Sequence, residues 1–434
     1  MKQITSWGRN KFVNCNFIEP ETKEELKNAI KNTKNFLAYG NGRSYGDVCL
    51  NKQNLISTRK LNQIIMFDKK TGEIEVESGL LASDLLPIIL KSNFFLPVTA
   101  GTKFVTIGGM VANNIHGKNI KKNFFSDYIY SLKIFNIDGN LIECSKKKNK
   151  NFFDLTVGGI GLTGIIYSVR FQLKKINSLK LEKKNIFFKN LKNIDNFEIF
   201  NSKYDYSVTW LDSFSSSKNI RGIHFLTRHN KIKEKINFTF KKKKISFFYK
   251  YLFKFFNNFY LYRFVNIFFF ISHYINFKKY INLENFFYVQ DKYIDWNKIY
   301  GTKGFIEFHI LVPKNFIIIF LEEFFLFCKK NKIFSNLIVL KRLKYKKKYI
   351  NFGGDGVSFS ADFSINHNLS IIKNFFMEKQ SKYSYNFYYA KDSVVSKKDI
   401  IFDKQFFMFK NKILKLNKKR KISSILSDRI GVTK

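Results

Sequence analysis

The stretch that decides the fold is rich in small residues and reads Pro97-Val98-Thr99-Ala100-Gly101-Thr102-Lys103-Phe104-Val105-Thr106-Ile107-Gly108-Gly109. It lies in a chain otherwise crowded with lysine and with phenylalanine, of which there are 52. An A/T-rich coding sequence favours Lys, Asn, Ile and Phe, so such a bias works against the small residues here. Because glycine lets another molecule approach the main chain closely, this second glycine stretch predicts a ligand held against the backbone.

Two further stretches flank it in the sequence. The first glycine stretch is Tyr39-Gly40-Asn41-Gly42-Arg43-Ser44-Tyr45-Gly46-Asp47, and the third is Val157-Gly158-Gly159-Ile160-Gly161-Leu162-Thr163-Gly164-Ile165-Ile166. A turn of successive N–H groups that contains an arginine suits an anion, most often a phosphate or pyrophosphate. The spacing G-x-G-x-x-x-G is one residue longer than the Rossmann fingerprint. Taken alone, the first stretch is equally compatible with a plain loop.

Length and composition indicate a globular protein of two or three domains, with 434 residues of which 45% are hydrophobic. The formal net charge is +43. Two explanations stay open: coding bias carried on solvated faces, or an anionic partner such as a membrane surface or a phosphorylated substrate. The lysines are spread along the chain without a recognised nucleic-acid module, so no nucleic-acid partner is predicted.

Cysteine usage and the apolar runs indicate the compartment. The four cysteines, Cys15, Cys49, Cys144 and Cys328, are far apart and form no C-x-x-C pair. The sequence therefore predicts no metal site and no disulfide scaffold, and a reducing environment. Residues 1–7 lack the apolar core of a signal peptide, and no uncharged apolar run reaches the roughly 18 residues of a membrane span. We expect a cytoplasmic protein, with peripheral contact at the inner membrane face as a candidate location.

Local patterns predict an α+β chain. Thr22 and Glu25 form a capping box for a helix within 20–34, and Ser83 is expected to cap a helix over Asp84–Lys91. Asp138-Gly139 predicts a hairpin. Residues 305–389 predict strand, helix, strand, strand, helix and strand, the pattern of a split α+β sheet. A block of lysines and aromatic residues spans 240–285 and reads either as a helical pair over the core or as a segment resting on an anionic bilayer.

The three glycine stretches, in this order and spacing, resemble the FAD-binding domain of the vanillyl-alcohol oxidase-like flavoproteins. Within them the chain resembles the decaprenylphosphoryl-β-D-ribose oxidase family. Further along, the resemblance rests on His116-Gly117-Lys118-Asn119, on Asp295-Trp296-Asn297-x-x-Tyr300-Gly301-x-x-Gly304-Phe305, on Asp362-Phe363 and on Ala390-Lys391-Asp392-Ser393. It covers nearly the whole chain, more weakly over 177–285.

The resemblance implies a fold class and a domain plan. Residues 1–176 would form a PCMH-type FAD-binding domain of two α+β subdomains. Residues 177–384 would form an α+β substrate (cap) domain with an antiparallel sheet. The block 240–285 within it is longer and more aromatic than the resemblance predicts, and its composition makes it the candidate membrane-proximal segment. Residues 385–434 would return to the FAD domain.

The resemblance also implies non-covalent FAD, although many relatives attach the cofactor to a histidine and His116 is the candidate here. The residues that would bind the cofactor are Gly40, Asn41, Gly42, Arg43, Ser44, Tyr45, Gly46, Gly101, Thr106, Ile107, Gly108, Gly109, Asn113, Asn114, His116, Ile165 and Tyr388. Within this set, the turn from Gly40 to Gly46 would hold the pyrophosphate.

Lys391 is the predicted catalytic residue, as a cation near the reduced flavin or as a base for the hydroxyl proton. The predicted substrate residues are Tyr45, Lys118, Glu307, His309, Lys341 and Ser360. Ser360 stands where the best-known members carry a pocket cysteine, and Glu307 and His309 stand where they carry two glutamines. These departures leave the exact sugar and lipid open.

The predicted function is the oxidation of a secondary alcohol, at C2, of a polyprenyl-phosphate-linked pentose to a keto sugar. A short-chain reductase partner would complete the epimerisation. Two alternatives remain from the sequence: a soluble sugar-lactone or alditol oxidase of the same superfamily, and a flavin-free scaffold that docks on membranes or glycolipids.

Overall fold

The computed structural model describes residues 1–190, 203–232, 234, 257–276, 278–293, 295–366, 368–400 and 403–434. The strands of these residues are β1 Lys2–Thr5, β2 Phe12–Ile18, β3 Leu37–Tyr39, β4 Asn54–Ser57, β5 Ile64–Phe67, β6 Glu73–Glu77, β7 Phe94–Phe95, β8 Ile129–Phe135, β9 Leu141–Ser145, β10 Ile165–Gln172, β11 Lys174–Lys175, β12 Lys180–Phe188, β13 Tyr206–Leu211, β14 Gly222–His229, β15 Tyr280–Asn282, β16 Phe305–Pro313, β17 Leu337–Tyr345, β18 Gly354–Ser364 and β19 Asn386–Phe387. The helices are α1 Lys23–Asn32, α2 Ala82–Lys91, α3 Ile107–Ala112, α4 Lys150–Thr156, α5 Phe259–Ile275, α6 Leu283–Phe287, α7 Ile317–Lys330, α8 Leu369–Tyr383, α9 Lys404–Leu416 and α10 Ile425–Arg429.

The first 176 residues contribute two larger sheets. The four-stranded sheet has the order β1-β2-β4-β3, in which β4 pairs parallel with both β2 and β3. The five-stranded sheet has the order β5-β6-β10-β8-β9 and is antiparallel throughout. Helices and mixed sheets together make this part of the chain α+β, as predicted.

Later in the chain, an antiparallel sheet of eight strands has the order β15-β12-β14-β13-β17-β18-β16-β19. Its second half follows the chain order β16, α7, β17, β18, α8, β19, so the predicted split α+β pattern is confirmed. Strand β18 extends from Gly354 to Ser364, and it pairs with β16 over residues 356–364 and with β17 over residues 354–362.

The two faces of this sheet have different neighbours, since successive side chains of a strand point to opposite sides. On β16, Ile306, Phe308 and Ile310 are buried in a core shared with α7 and α8. Their alternates Glu307 and His309 line a large cavity. The sheet therefore separates a dry helical layer from the candidate site.

The last described residues pack on the first sheet. Phe406, Phe409 and Ile413 of α9 belong to the same hydrophobic core as Leu26 and Ile30 of α1. The core also includes β3 and β4, and residue 422 forms a parallel bridge with residue 36. The end of the chain thus lies against its beginning, while the exact division into domains stays a prediction.

The local turn and cap predictions met different outcomes. The Thr22 hydroxyl accepts a hydrogen bond from the Glu25 amide at 3.1 Å, so that cap is confirmed. Gly139 has φ +77° between β8 and β9, which confirms the hairpin. The Ser83 cap is wrong: α2 begins at Ala82 after Leu81, because the Ala82 and Ser83 amides bond to the carbonyls of residues 105 and 103.

The basic-aromatic block is described only in part, since residues 240–256 and 277 lie outside the described residues. The described part contains α5, β15 and the start of α6. Among the described residues, no helix combines the length and the apolar character that a membrane crossing needs.

Candidate active site

A cavity of about 1040 Å³ lies between the glycine stretches and the eight-stranded sheet. Its wall brings together residues that are far apart in the sequence. The predicted site residues that line it are Gly40, Asn41, Gly42, Arg43, Ser44, Tyr45, Gly101, Thr106, Gly108, Gly109, Asn113, His116, Lys118, Ile165, Glu307, His309, Lys341, Ser360, Tyr388 and Lys391.

The first glycine stretch is fixed to the second by hydrogen bonds. The Asn41 side-chain amide donates to the Phe104 carbonyl at 2.7 Å, and Gly42 has φ +58°, which favours glycine. Arg43 stacks on the Trp7 ring, with its guanidinium carbon 4.4 Å from the ring centroid. Burial lowers the pKa of Arg43, because it disfavours the charged guanidinium. An anionic ligand beside Arg43 would stabilise that charge.

Four buried polar atoms of the wall lack a partner within the described part of the chain. Among the described residues, the buried atoms Arg43 Nε, Ser78 Oγ, Asn113 Oδ1 and His116 Nδ1 have no hydrogen-bond partner. Buried polar groups are normally satisfied, so these four predict a polar ligand along this wall. At Gly101, an added Cβ would meet no atom within 4 Å, so there is room for a bound molecule.

Three of the predicted cofactor residues lie behind the wall. Gly46 sits against the backbone of Asp392, where a Cβ would collide with its carbonyl. Ile107 is fully buried in the core around α2 and α3. Asn114 is fully buried and accepts from the Ser126 amide at 3.3 Å. These residues do not line the cavity and support its wall through the backbone or the core, and their contact with the cofactor stays a prediction.

Lys391 lies at the inner end of the cavity, four residues after β19. Its Nζ stands 3.0 Å from the centroid of the Tyr45 ring and donates to Glu307 Oε2 at 3.3 Å. The Lys391 side chain is 22% exposed and the Glu307 side chain 7%. The cation is therefore held between an aromatic face and a buried carboxylate while still facing the cavity.

Glu307 and Asp362 form a carboxyl pair on neighbouring strands, directly opposite each other in the register of β16 and β18. Burial, then the charge of Glu307 and a hydrogen bond with it, raise the pKa of Asp362 well above its usual value. Burial would raise the pKa of Glu307 too, but the charge of Lys391 and a hydrogen bond from His309 hold it below its usual range. The pair thus carries one negative charge, on Glu307, with the proton on Asp362.

His309 completes this network. Burial lowers its pKa, and the positive charges of Lys391 and Lys341 add to that, against the opposing effect of Glu307. A neutral ring fits its contacts: Nδ1–H donates to Glu307 Oε1 at 2.6 Å, and Nε2 accepts from the Ser358 hydroxyl at 2.8 Å. We assign this tautomer from the hydrogen-bond pattern.

His116 and Tyr388 close the aromatic side of the cavity. The His116 ring lies 5.1 Å from His309 and 5.3 Å from Tyr388, centroid to centroid. Burial and the nearby charge of Lys341 lower the pKa of His116 well below its usual value, so the ring is neutral. The Tyr388 hydroxyl donates to the Asn113 carbonyl at 3.2 Å, which links the C-terminal part of the chain to the end of α3.

Two further lysines make the cavity strongly basic. Burial, then the charge of Lys341, lowers the pKa of Lys118 to about 7. Burial, then the charge of Lys391, lowers the pKa of Lys341 to about 8, with Glu307 opposing. The Lys118 ammonium donates to the Phe286 carbonyl and lies 4.5 Å from that ring. These mutually repelling cations favour an anionic ligand.

Sequence reasoning missed the arginine that ties the site together. Arg429 in α10 pairs with Asp47 Oδ1 at 2.7 Å and with Asp392 Oδ2 at 2.9 Å. Asp47 ends the first glycine stretch, and Asp392 follows Lys391 directly. One guanidinium therefore links the first glycine stretch to the segment that carries Lys391, and no local pattern in the sequence points to Arg429.

Asp362 and Ser358 were also assigned no role. Here a signal was present: β18 alternates Ser358, Ser360 and Asp362 with the apolar residues Val357, Phe359, Ala361 and Phe363. A period of two with polar side chains on one face predicts that all three share the face of Ser360.

Comparison with known proteins identifies an FAD-binding domain in this chain. Residues 16–145 match the family model of an FAD binding domain. Decaprenylphosphoryl-beta-D-ribose oxidase of Mycolicibacterium smegmatis is 24% identical over 341 residues, covering 74% of this chain and 73% of that protein. The L-gulonolactone oxidases of Mus musculus and Bos taurus are 28% and 25% identical over 35% and 36% of this chain. This chain spans only about a third of the length of those two oxidases, 34% and 36%.

The fold, the cavity and the matching domain define an FAD-binding flavoprotein of the oxidoreductase class. Within that class the chain is similar to decaprenylphosphoryl-β-D-ribose oxidase, over a match of 341 residues that is longer than the FAD domain of residues 16–145. The resemblance drawn from the glycine stretches and the cofactor FAD are thereby confirmed.

Proposed function

We propose that the protein oxidises a secondary alcohol, the C2 hydroxyl, of a polyprenyl-phosphate-linked pentose such as decaprenylphosphoryl ribose, giving the keto sugar. The observation that carries the proposal is the set of three lysines in the cavity wall, Lys118, Lys341 and Lys391. The carboxylate that faces them, Glu307, offsets one charge. The remaining positive charge suits the phosphate of such a substrate better than a neutral lactone.

The architecture fits FAD held by the residues of the wall. In this proposal the four-stranded and five-stranded sheets mark the two subdomains, and the turn from Gly40 to Ser44 binds the pyrophosphate with Arg43. The unpartnered polar atoms of Asn113 and His116 would then bond to the flavin part. We propose non-covalent binding, with His116 as a hydrogen-bonding residue.

When bound, FAD accepts the hydride equivalent removed from the alcohol carbon. The Lys391 ammonium, oriented by Tyr45 and Glu307, would bind the oxygen of the reacting hydroxyl and stabilise the negative charge that develops there as the hydroxyl proton is released to solvent. The buried aromatic side formed by His116, Tyr388 and Phe352 would exclude water from the reacting carbon. Lys118 and Lys341 would bind the phosphate, and Ser360 the sugar.

A sugar-lactone oxidase is the second candidate. It is supported by the match to the L-gulonolactone oxidases, which extends over about a third of this chain. That match is shorter than the match to decaprenylphosphoryl-beta-D-ribose oxidase, which covers 74% of this chain. The flavin-free scaffold is disfavoured by the FAD-binding domain itself.

The proposal includes partners. A keto sugar on a lipid phosphate needs a reductase to complete an epimerisation, and a short-chain reductase is the class expected. A polyprenyl phosphate resides in a membrane, so the enzyme would work at the inner membrane face.

The test begins with the colour of the protein. Purified enzyme is expected to be yellow, and acid precipitation to leave the flavin in the supernatant; flavin in the pellet would identify a covalent bond, with His116 as the first position to examine. Under anaerobic conditions, lipid-linked ribose phosphate should bleach the flavin, and free lactones should not. Bleaching by lactones alone would select the second candidate.

Lys391→Met tests the catalytic residue. The variant should keep its flavin colour and lose bleaching by at least about a hundredfold, because the charge at the reacting oxygen is removed. Lys298→Met, at an exposed lysine outside the cavity, is the matched control. Unchanged bleaching by Lys391→Met would contradict the role given to this residue.

A further inference from the structure

Helix α5 presents an apolar face outward and polar groups inward. Tyr260, Phe264, Phe268, Ile271 and Ile275 recur at spacings of four, four, three and four, and so share one side of the helix. We call them the outer face. Tyr260, Phe264 and Phe268 are 72%, 69% and 74% exposed. A surface helix in water shows the reverse arrangement, so this face is adapted to an apolar medium.

The inner side of α5 is part of the cavity wall. Phe269 and His273 line the cavity, and both pack on the eight-stranded sheet. The Phe269 ring lies 4.7 Å from Trp210 of β13, and His273 lies 5.3 Å from Phe225 of β14. The outer face and the cavity therefore lie on opposite sides of the same helix.

A row of residues across the sheet runs from the α5 side to His309 in the candidate active site. Trp210 pairs with Val339, Val339 with Ser360, and Ser360 with His309. Residues directly opposite each other share one face of a sheet, and three strand spacings amount to roughly 14 Å. All four residues line the cavity. The row is apolar near α5 and polar at its far end.

Cations surround the α5 end of this row. Arg263 is exposed on α5, whose described sequence contains no acidic residue. Lys278 and Lys279 follow the helix and are exposed. Lys183 and Lys278 line the cavity, and the charge of Lys183 acts on His273 of α5. Positive charge beside an exposed aromatic face matches the chemistry of an anionic bilayer surface.

We propose that the outer face of α5 inserts into the surface of an anionic lipid bilayer, and that the apolar part of the row, Trp210 and Val339, holds the first isoprene units of a prenyl chain drawn from that bilayer. The second part rests on the proposed function, whereas the first concerns the surface alone. Together they assign the apolar end of the cavity to the lipid and the basic end to the phosphate and sugar.

The membrane part is tested with the flavin-loaded full chain and vesicles of phosphatidylcholine, with and without phosphatidylglycerol. Wild type should float with the anionic vesicles. The double variant Phe264→Ser/Phe268→Ser should partition about a hundredfold more weakly, since each buried aromatic side chain contributes about tenfold or more. Ile319→Ser/Leu326→Ser, at exposed apolar positions of α7, is the matched control and should bind like wild type.

Other results would overturn the assignment. Equal binding of both double variants would remove the outer face as the docking site. A wild-type dimer in lipid-free buffer that Phe264→Ser/Phe268→Ser converts to a monomer would identify a second copy as the occupant. Flavin content serves as the folding check for each variant.

The lipid row is tested by chain length. Wild type should bleach about tenfold faster with a long prenyl phosphate ribose than with a one-isoprene analogue, and Val339→Asn should remove that preference. A retained preference would overturn the row. Vesicle binding without any bleaching by prenyl phosphate ribose would refute the proposed function and leave the docking surface standing, so the two failures are distinguishable.

Discussion

Glu307 accepts hydrogen bonds from three groups, the Lys391 ammonium, the His309 ring and the protonated Asp362. A carboxylate held in this way is a weak base and a strong anchor. It fixes where the Lys391 cation stands, which favours the role of Lys391 as a positioned charge. The second role considered from the sequence, a base, finds less support in this arrangement.

Glu307→Gln tests the network. Glutamine keeps the shape, so the charge should move to Asp362, whose pKa is raised by burial. In this variant Asp362 becomes protonated at a higher pH than Glu307 does in wild type. The acid limb of the pH profile for flavin reduction should therefore shift to higher pH. Asp362→Asn is the matched control: it removes a residue that is already neutral, so its acid limb should stay in place. An unshifted limb in Glu307→Gln would argue against the single-charge pair.

Because the pKa values of Lys118 and Lys341 are lowered, we expect the protein to take up protons when it binds a phosphate. Their pKa values lie at about 7 and about 8 in the free protein, because of burial and neighbouring lysines. A bound phosphate favours the ammonium forms and raises both values. Affinity should therefore be highest below pH 7 and weaken as the pH rises above 8.

Calorimetry at pH 8 in two buffers of different ionisation enthalpy measures this uptake. Lys341→Met should reduce the number of protons taken up, and the control Lys298→Met should not. Binding without proton uptake would show that the phosphate lies away from these two lysines.

At the scale of elements, α10 joins parts of the molecule that no sheet joins. Arg429 pairs with Asp47, which is fully buried, and with Asp392. Removal of one partner of a buried pair leaves an uncompensated charge, which costs about 3–5 kcal/mol. Lys11 also contacts Asp47, so the lower end of that range is expected here.

Arg429→Met should lower the free energy of unfolding in urea by about 3 kcal/mol. Arg228→Met is the control, since its pair with Glu182 is solvent-exposed and such pairs contribute about 1 kcal/mol at most. Equal losses in the two variants would show that burial of Asp47 does not depend on the arginine.

Elements differ in how far the sequence predicts them. Turns with a local cause, such as the Thr22 cap and the glycine at 139, were predictable because their partners lie within a few residues. The split α+β sheet was predictable from its alternation of apolar strands and helices. The start of α2 was not, because its first amides bond to the distant carbonyls of residues 103 and 105.

The site follows the same rule. Glycines and lysines with an evident chemical purpose were found from sequence, and most of them line the cavity. Gly46, Ile107 and Asn114 share the motifs but support the wall from behind, a distinction that depends on tertiary packing. The role of Arg429 could not be predicted from the sequence, since its two partners come close to it only in the folded chain.

At the scale of the whole molecule, the cavity wall draws on residues from Trp7 to Lys391. A ligand that binds only this assembled form stabilises the fold, by about 2.7 kcal/mol at a hundredfold excess over its Kd. FAD should therefore raise the melting temperature of the flavin-free protein.

Gly101→Val tests whether FAD binds beside the second glycine stretch. Since the added side chain meets no protein atom within 4 Å at its Cβ, the flavin-free variant should melt like flavin-free wild type. The side chain would occupy the space that we assign to FAD, so the cofactor-induced rise should disappear. A full rise in Gly101→Val would place FAD elsewhere in the cavity.

The pairing of Arg429 with Asp47 has a consequence for protein synthesis, since the two residues are 382 positions apart in the chain. The ribosome makes Asp47, in the first glycine stretch, long before it makes Arg429. Lys11 can contact Asp47 early, but the ion-pair link from Asp47 to Asp392 needs Arg429. We therefore expect the part of the cavity between the first glycine stretch and Lys391 to take its final form late in synthesis.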